Sequence, residues 1–335
     1  MRIKIYGSRG TLPFSSRENV YYGGNTLCVK IETMGETLIV DCGSGLAQFQ
    51  ADAISGSSNI ASESHIVSES ATTDGGLITA GGSVAVSEAH IASDSATDSG
   101  SFATGGSVAA SGSVATSESQ PKLSILLSHL HLDHIIGLLT FVPMQANSQN
   151  RVILYTKSRV EQSPLTTQIF GLFRPPYWPI AIEDMCDIET VEIRDNESFT
   201  PIEGVMVTPF TSNHQDKTTA FRIDADKSLV YLLDCEIDEK QEPSENIVNY
   251  CKDSDIILFD SAYLPEDYEK RRGWGHSSYR AGLRLAERSG CKQMIFCHFS
   301  YEYADQTLLT LDRELANASC ERKFQIAYDG MEVLL

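Results

Sequence analysis

The chain has 335 residues, of which 41% are hydrophobic and 21% charged, the balance of a globular protein with a sizeable core. Its 45 acidic and 26 basic residues give a formal net charge of −19, which disfavours DNA, bulk RNA and anionic membrane surfaces as partners. Neither an apolar run long enough to span a membrane nor the apolar stretch of a signal peptide is found. The eight cysteines show no CxxC spacing, so we expect reduced thiols in a cytoplasmic protein.

The predicted elements alternate along the chain. Strands are expected over Arg2–Tyr6, Thr26–Glu32, Glu36–Asp41, Leu123–Leu127, Val152–Tyr155, Val205–Pro209, Thr218–Ile223, Leu229–Leu233, Ile256–Phe259, Gln293–Cys297 and Gln325–Tyr328. Helices are expected over Gly43–Gln50, Ile135–Gln145, Tyr279–Arg288 and Gln306–Asn317. This order of strands and helices predicts the α/β class, with two mixed sheets covered by outer helices.

Residues 51–120 interrupt the pattern. Of these 70 residues, 46 are Ser, Ala, Gly or Thr, and Gly81–Ala85 recurs as Gly105–Ala109, 24 residues later. A repeat of this kind is typical of a solenoid of short strands, or of a low-complexity insert with too few large apolar side chains to offset its ordering entropy; the composition favours the second. We therefore expect a catalytic domain formed by 1–50 and 121–335, with a repeat insertion at 51–120.

The strongest chemical signal is the segment His129–His134, HLHLDH, which directly follows a predicted buried strand. Imidazole and carboxylate groups are ligands of zinc and similar ions, whereas hydrogen-bonded loop histidines are the alternative interpretation. His214, Asp234 and His298 also follow predicted strands. Because polar groups at the carboxyl ends of strands gather at one edge of an α/β sheet, five histidines and two aspartates predict a pair of cations sharing one carboxylate.

These motifs, in this order after Asp41–Gly45, resemble the metallo-β-lactamase-fold hydrolases over nearly all of the chain except 51–120. The resemblance implies a four-layer αββα sandwich. It also implies a first divalent cation on His129, His131 and His214, a second on Asp133, His134 and His298, and Asp234 between them. Zinc is the default cofactor, while manganese, iron and nickel suit the same ligands.

Other segments resemble the phosphodiesterase branch of that family. Gly7–Pro13 and Tyr22–Thr26 resemble the start of small-molecule phosphodiesterases such as the phosphoribosyl cyclic phosphate phosphodiesterases, although a glycine turn between strands explains the second equally well. Gly275–Ser278 and His298–Ser300 resemble motifs of tRNase Z. The expected activity is hydrolysis of a small phosphodiester, a cyclic phosphate or a molecule like a cyclic nucleotide, by a metal-activated hydroxide.

The alternatives are a tRNA 3′-processing endonuclease of the tRNase Z type and a hydrolase scaffold whose insertion binds a protein partner. A thioesterase or lactamase has less support. A homodimer, the physiological substrate and the metal identity are left open by the sequence.

Two catalytic residues are expected, Asp133 and His276. His276 follows a glycine and precedes a predicted helix, so it is expected to donate a proton or hydrogen bond to the phosphate or the leaving group. The alternative for His276 is a ring at a helix start that faces solvent. Asp41 and Asp260 are candidates to hydrogen-bond a ligand histidine. For Asp41 a turn at the end of a strand is an equal alternative, whereas for Asp260 a helix cap or turn is favoured.

The segment Gln168–Pro179 contains four aromatic residues and three prolines. Such a stiff loop is expected either to cover the site and stack on a base or ribose, or to pack on the core. Packing is favoured for Phe170 and Phe173. For Arg174, pairing with phosphate and a surface ion pair are equally consistent with the sequence.

Overall fold

In a computed structural model, the described residues are 1–53, 122–145, 151–179, 181, 188–215, 218–318 and 321–335. The repeat insertion expected at 51–120 lies outside them, apart from residues 51–53. Within the described ranges, no helix is long and apolar enough to cross a lipid bilayer.

Two seven-stranded mixed sheets form the centre of the molecule. The first has the order β14-β1-β2-β3-β4-β5-β6, built from β1 (Arg2–Gly7), β2 (Cys28–Thr33), β3 (Glu36–Val40), β4 (Lys122–Leu126), β5 (Arg151–Thr156), β6 (Ile188–Glu192) and β14 (Met331–Leu334). The second has the order β13-β12-β11-β10-β9-β8-β7, built from β7 (Phe199–Ile202), β8 (Val205–Thr211), β9 (Thr219–Asp224), β10 (Ser228–Leu232), β11 (Ile256–Asp260), β12 (Gln293–Cys297) and β13 (Lys323–Ile326).

The helices lie in chain order around these sheets. They are α1 (46–53), α2 (Leu132–Ile135), α3 (Leu138–Gln145), α4 (Leu165–Phe170), α5 (Glu245–Cys251), α6 (Pro265–Arg271), α7 (Tyr279–Ser289) and α8 (Asp305–Ala316).

Three buried clusters define four layers. One cluster lies between the sheets and includes Ile3 of β1 and Leu258 of β11. A second packs the outer face of the second sheet against α5, α7 and α8, and a third packs the first sheet against α1 to α4. In β11, Leu258 faces the inter-sheet core while Phe259 faces the helices, which explains the continuous apolar run in the sequence. The expected αββα sandwich is confirmed.

All expected strands are present, with ends displaced by one to two residues, and Gln293–Cys297 matches without a shift. Of the expected helix Ile135–Gln145, the structure forms α3 from Leu138 onwards, separated from the end of α2 at Ile135. Gly137 lies between the two helices, where a Cβ would come within 2.2 Å of the Gly43 carbonyl oxygen. Three strands (β6, β7 and β14) and four short helices (α2, α4, α5 and α6) were not predicted. Of these, β6 is a half-buried edge strand of sequence IETVE with only two apolar residues, so its signal is weak.

The segment Gln168–Pro179 packs on the core at the residues where packing was favoured. Phe170 and Phe173 are buried beneath the first sheet, in the cluster that also contains α3. Tyr177 is 76% exposed. Neither phenylalanine is therefore exposed to stack on a substrate.

Candidate metal centre

Strand register brings the candidate ligands to one place. In the first sheet Val40 pairs with Leu126, so Asp41 lies beside the segment that leads to His129. In the second sheet Asp260 pairs with Cys297, which places His298 one residue beyond that level. Parallel strands that end together deliver their following residues to a common edge.

The expected ligands form two groups of side chains. In each group, the possible ligand atoms lie within 4.8 Å of one another. The first group consists of His129, His131, His214 and Asp234, and the second of Asp133, His134 and His298. His276 forms a further cluster of the same kind with Asp234 and His298. The seven expected metal ligands and His276 are thus brought together.

Asp234 lies between the two groups. Its Oδ1 is 3.7 Å from His129 Nε2 and 3.8 Å from His214 Nε2. Its Oδ2 is 3.1 Å from His134 Nε2 and 3.5 Å from His298 Nε2. One carboxylate oxygen therefore faces each group, as a shared ligand would.

The ligand atoms are buried and unsatisfied. The Nε2 atoms of His129, His134, His214 and His298 have no hydrogen-bond partner among the described residues, and neither has Asp234 Oδ2. A buried polar atom without a partner is costly, so a convergent set of them requires a reason. Imidazole and carboxylate donors at this spacing fit divalent cations, and the centre is accordingly suited to bind metal.

On three of these histidines a hydrogen bond at Nδ1 leaves Nε2 as the ring nitrogen that can bind a cation. His134 Nδ1 donates to Asp41 Oδ2 at 2.7 Å, and His214 Nδ1 donates to the Gly275 carbonyl at 2.9 Å. Ser128 Oγ donates to the same Asp41 oxygen, so its lone pair accepts from His129 Nδ1 at 3.1 Å. Each of these three rings therefore presents Nε2, the nitrogen that a cation can bind, towards the centre.

The electrostatics of the centre follow from its burial. Burial opposes ionisation of Asp234, but His298, His134 and His129 outweigh it and hold the pKa of this carboxyl well below its usual range. Burial, together with the charge of His134, holds the pKa of His129 well below its usual range. Burial also lowers the pKa of His298, but Asp234 and Asp133 outweigh it and raise this pKa to about 9. A cation entering the centre must therefore displace protons.

Asp41 is the hub that supports the second group. It is fully buried and receives four hydrogen bonds, from the Ser128 backbone, the Ser128 hydroxyl, His134 and Tyr231. The expectation that Asp41 holds a histidine is met by this geometry. Asp41, Asp234 and His298 all have positive φ, a rare and strained conformation for residues other than glycine that concentrates at functional sites.

His276 lies inside the centre. Its Nδ1 donates to Asp260 Oδ2 at 2.8 Å, and its ring stacks on His298 with 4.8 Å between centroids. The side chain is only 13% exposed, so it does not face solvent as the alternative required. Asp260 also accepts from the backbones of Cys235 and Ala262, so it fixes His276 to the end of β11.

Several supporting residues were missed by sequence reasoning. Tyr231 reaches Asp41 from the opposite sheet at 2.6 Å, and the Thr11 backbone donates to Asp133 Oδ2 at 2.8 Å. Glu236 accepts from the backbones of Gly273 and Gly275. The available signals are that Thr11 lies in the Gly7–Pro13 segment and that Tyr231 and Glu236 lie close to Asp234 in the sequence.

The Tyr22–Thr26 segment has a supporting role. The Gly24 and Asn25 backbones donate to Asp329 Oδ2, and the Ser8 backbone donates to Asp329 Oδ1. Asp329 thus ties this turn to the loop that carries Thr11. The geometry agrees with the glycine-turn interpretation.

Residues 107–299 match the beta-lactamase superfamily domain, and the chain belongs to this superfamily. Ribonuclease Z 1 of Schizosaccharomyces pombe is 24% identical over 226 residues, which cover 62% of this chain and 25% of that protein. Ribonuclease Z of Archaeoglobus fulgidus is 22% identical over 227 residues, covering 54% of this chain and 71% of that protein. The chain thus spans a quarter of the Schizosaccharomyces pombe relative.

Solved structures show the same fold. The metallo-beta-lactamase fold protein YhfI from Bacillus subtilis has a TM-score of 0.60 at 13% identity, with 99% of each chain covered. A diphosphatase from the PhnP family has a TM-score of 0.58 at 15% identity, covering 100% of this chain and 97% of that one. The short form of human tRNase Z has a TM-score of 0.57 at 16% identity, covering 100% of this chain and 99% of that one. The metallo-β-lactamase fold expected from the motifs is confirmed.

Proposed function

We propose that this protein is a metal-dependent hydrolase of small phosphodiesters that uses two divalent cations, most simply zinc. The observation that carries the proposal is the placement of Asp234, with one oxygen facing each group of unsatisfied Nε2 atoms. His129, His131 and His214 would hold one cation and Asp133, His134 and His298 the other, with Asp234 shared. Such a pair supplies electrophilic stabilisation of a phosphoryl group and lowers the pKa of water towards neutrality.

The chain's own residues complete the chemistry. Because the Nδ1 proton of His276 is held by Asp260, its Nε2 is the atom left to exchange a proton or hydrogen bond with the phosphate or leaving alcohol. Asp133 is oriented by the Thr11 backbone, which keeps its carboxylate at the centre. Burial of the centre excludes bulk water from these contacts and strengthens them.

Replacing His276 tests its role separately from metal binding. We expect His276→Ala to lower kcat for bis(p-nitrophenyl) phosphate by about 10²–10⁴-fold, the usual contribution of a general acid or base. Elemental analysis should still find two cations per chain. Full turnover by a variant with two bound cations would remove His276 from the reaction.

A tRNA 3′-processing endonuclease is the second candidate, and the ribonuclease Z relatives favour it. The net charge of −19 opposes it, because a tRNA carries many phosphates. Metal-loaded protein should be assayed on bis(p-nitrophenyl) phosphate, a nucleoside 2′,3′-cyclic phosphate and a precursor tRNA. Cleavage of the small esters alone supports the first proposal, cleavage of the tRNA alone the second, and no cleavage contradicts both.

A further inference from the structure

Four exposed apolar side chains lie on the loops that carry the metal centre. Leu12 is 54% exposed, Leu132 46%, Trp274 56% and Tyr301 46%. Each lies within three residues of a residue already placed at the centre. We call these four side chains the apolar rim.

Contacts between the loops show that the rim is one region. The Thr11 backbone donates to Asp133, so the neighbouring Leu12 and Leu132 belong to touching segments. Phe14, on the same loop as Leu12, has its ring centroid 6.1 Å from that of Tyr301.

The other half of the rim is joined by an ion pair. Arg271 Nη2 lies 2.8 Å from Glu302 Oε2, which brings the segment of Trp274 against that of Tyr301. The Trp274 backbone donates to the Arg271 carbonyl. The rim therefore runs along contiguous loops from Leu132 to Trp274.

The charges beside the rim disfavour a further phosphate group. Arg271 is engaged by Glu302 and lies over the Tyr263 ring. The cavity of about 580 Å³ next to His214 is lined by three carboxylates. They belong to Glu236, Asp238 and Glu242. The guanidinium in that lining, on Arg272, is paired with Asp238.

We infer that the apolar rim binds a flat aromatic group, a nucleobase or an aryl ring, on the phosphodiester that the centre hydrolyses. This inference rests on the proposed function. An exposed indole and phenol offer faces on which an aromatic ring stacks, and the aliphatic side chains extend the apolar surface. The rim would select substrates by the group attached to the phosphate, while the metal centre acts on the phosphate itself.

A binding test needs no turnover. Trp178 and Trp274 are the two tryptophans of the chain, so a Trp178→Phe variant reports on Trp274 alone. Thymidine 5′-monophosphate and phenyl phosphate should quench its fluorescence, whereas deoxyribose 5-phosphate should not. Equal responses to all three, or none, would overturn the inference.

A kinetic test compares thymidine 5′-phosphate, phenyl phosphate and methyl phosphate, each as its 2,2,2-trifluoroethyl diester, so that the group shared by the three esters carries no aromatic ring. Hydrolysis is followed by ³¹P NMR. We expect Trp274→Ala and Tyr301→Ala each to raise KM for the aromatic esters about tenfold relative to the methyl ester, the order of one lost stacking contact. Met206→Ala removes an equally exposed apolar side chain (47%) at the start of β8, and should leave the ratio unchanged. An unchanged ratio in all three variants contradicts the inference.

The two tests separate the possible failures. If no ester is hydrolysed but thymidine 5′-monophosphate still quenches Trp274, the proposed function is wrong and the rim remains a binding site. If all esters are hydrolysed with equal KM, the function stands and the rim inference fails. A preference shared by the phenyl ester identifies an aryl site, and one confined to the thymidine ester identifies a nucleobase site; both support the inference.

Discussion

The two groups of candidate ligands are held by different parts of the molecule. In the second group, His134 is fixed by Asp41, which is fully buried and tied to both sheets through Ser128 and Tyr231. In the first group, His214 is fixed by the carbonyl of Gly275 in a surface loop. The second group is thus core-held at His134, and the first is loop-held at His214.

That loop has little freedom to vary. Gly275 has φ +89°, and a Cβ there would lie 2.2 Å from His214 Nδ1. The Glu236 carboxylate receives the backbone N–H groups of Gly273 and Gly275 at 2.7 and 2.9 Å. Because His276 follows directly, the same loop positions both a candidate ligand and the expected proton donor. We therefore expect metal binding and proton transfer to be coupled on this side of the centre.

The largest loss of metal binding is expected from replacing Asp234, which lies between the two groups. Asp234→Ala removes the carboxylate that faces both, so the metal content should fall below one cation per chain. The loss of metal affinity should exceed the roughly 10–100-fold loss that follows from removing a residue that hydrogen-bonds a metal ligand. Elemental analysis after dialysis measures it. Asp224→Ala, at the far end of β9 and paired with Arg222, is the control and should keep both cations. Two cations retained without Asp234 would mean that it is not shared.

Tyr231→Phe is expected to weaken metal binding by less, and only at the core-held group. The variant removes the 2.6 Å hydrogen bond to Asp41 and leaves the ring in place. One of two cations should bind about tenfold more weakly, at the lower end of the effect of such partners. Stepwise chelator titration resolves the two affinities.

Tyr250→Phe is the matched control, because its hydroxyl donates to the Thr208 carbonyl away from the centre. Both variants should lose unfolding free energy, about 1 kcal/mol for the neutral bond of Tyr250 and more for the bond to a carboxylate. Metal binding that is weakened in Tyr231→Phe and unchanged in Tyr250→Phe would support the dependence of the core-held group on the Asp41 contacts. The same metal affinities in both variants would assign Tyr231 a purely structural role.

The fold and the candidate ligands could be predicted from the sequence, for physical reasons that differ from residue to residue. Strands such as β11, buried on both faces, give continuous apolar runs, and the ligands of His129–His134 are dense along the chain. Tyr231 and Asp41 are 190 positions apart, and a tyrosine in an apolar strand carries no mark of the bond it makes.

Asp260 shows the limit most clearly, because its turn or cap interpretation was favoured from the sequence. It stands at the end of a strand, where turn residues are common. Only the fold shows that His276 lies 2.8 Å away. Residues whose function depends on a long-range contact therefore remain hidden until the register of the strands is known.

The smallest effect is expected from Glu236→Gln, on the loop-held group. An amide can accept only at its oxygen, so the backbone N–H of either Gly273 or Gly275 would face an NH₂ group. The loop should shift slightly, and kcat should fall a few-fold, up to about tenfold, through His276, with the core-held cation unaffected. Glu269→Gln, which weakens an exposed ion pair with Lys240, is the control. Because the loop joins His214 to His276, the fall in kcat should be accompanied by weaker binding of the more labile cation in chelator titration. A fall in kcat with both affinities unchanged would separate the two roles of the loop and contradict their coupling.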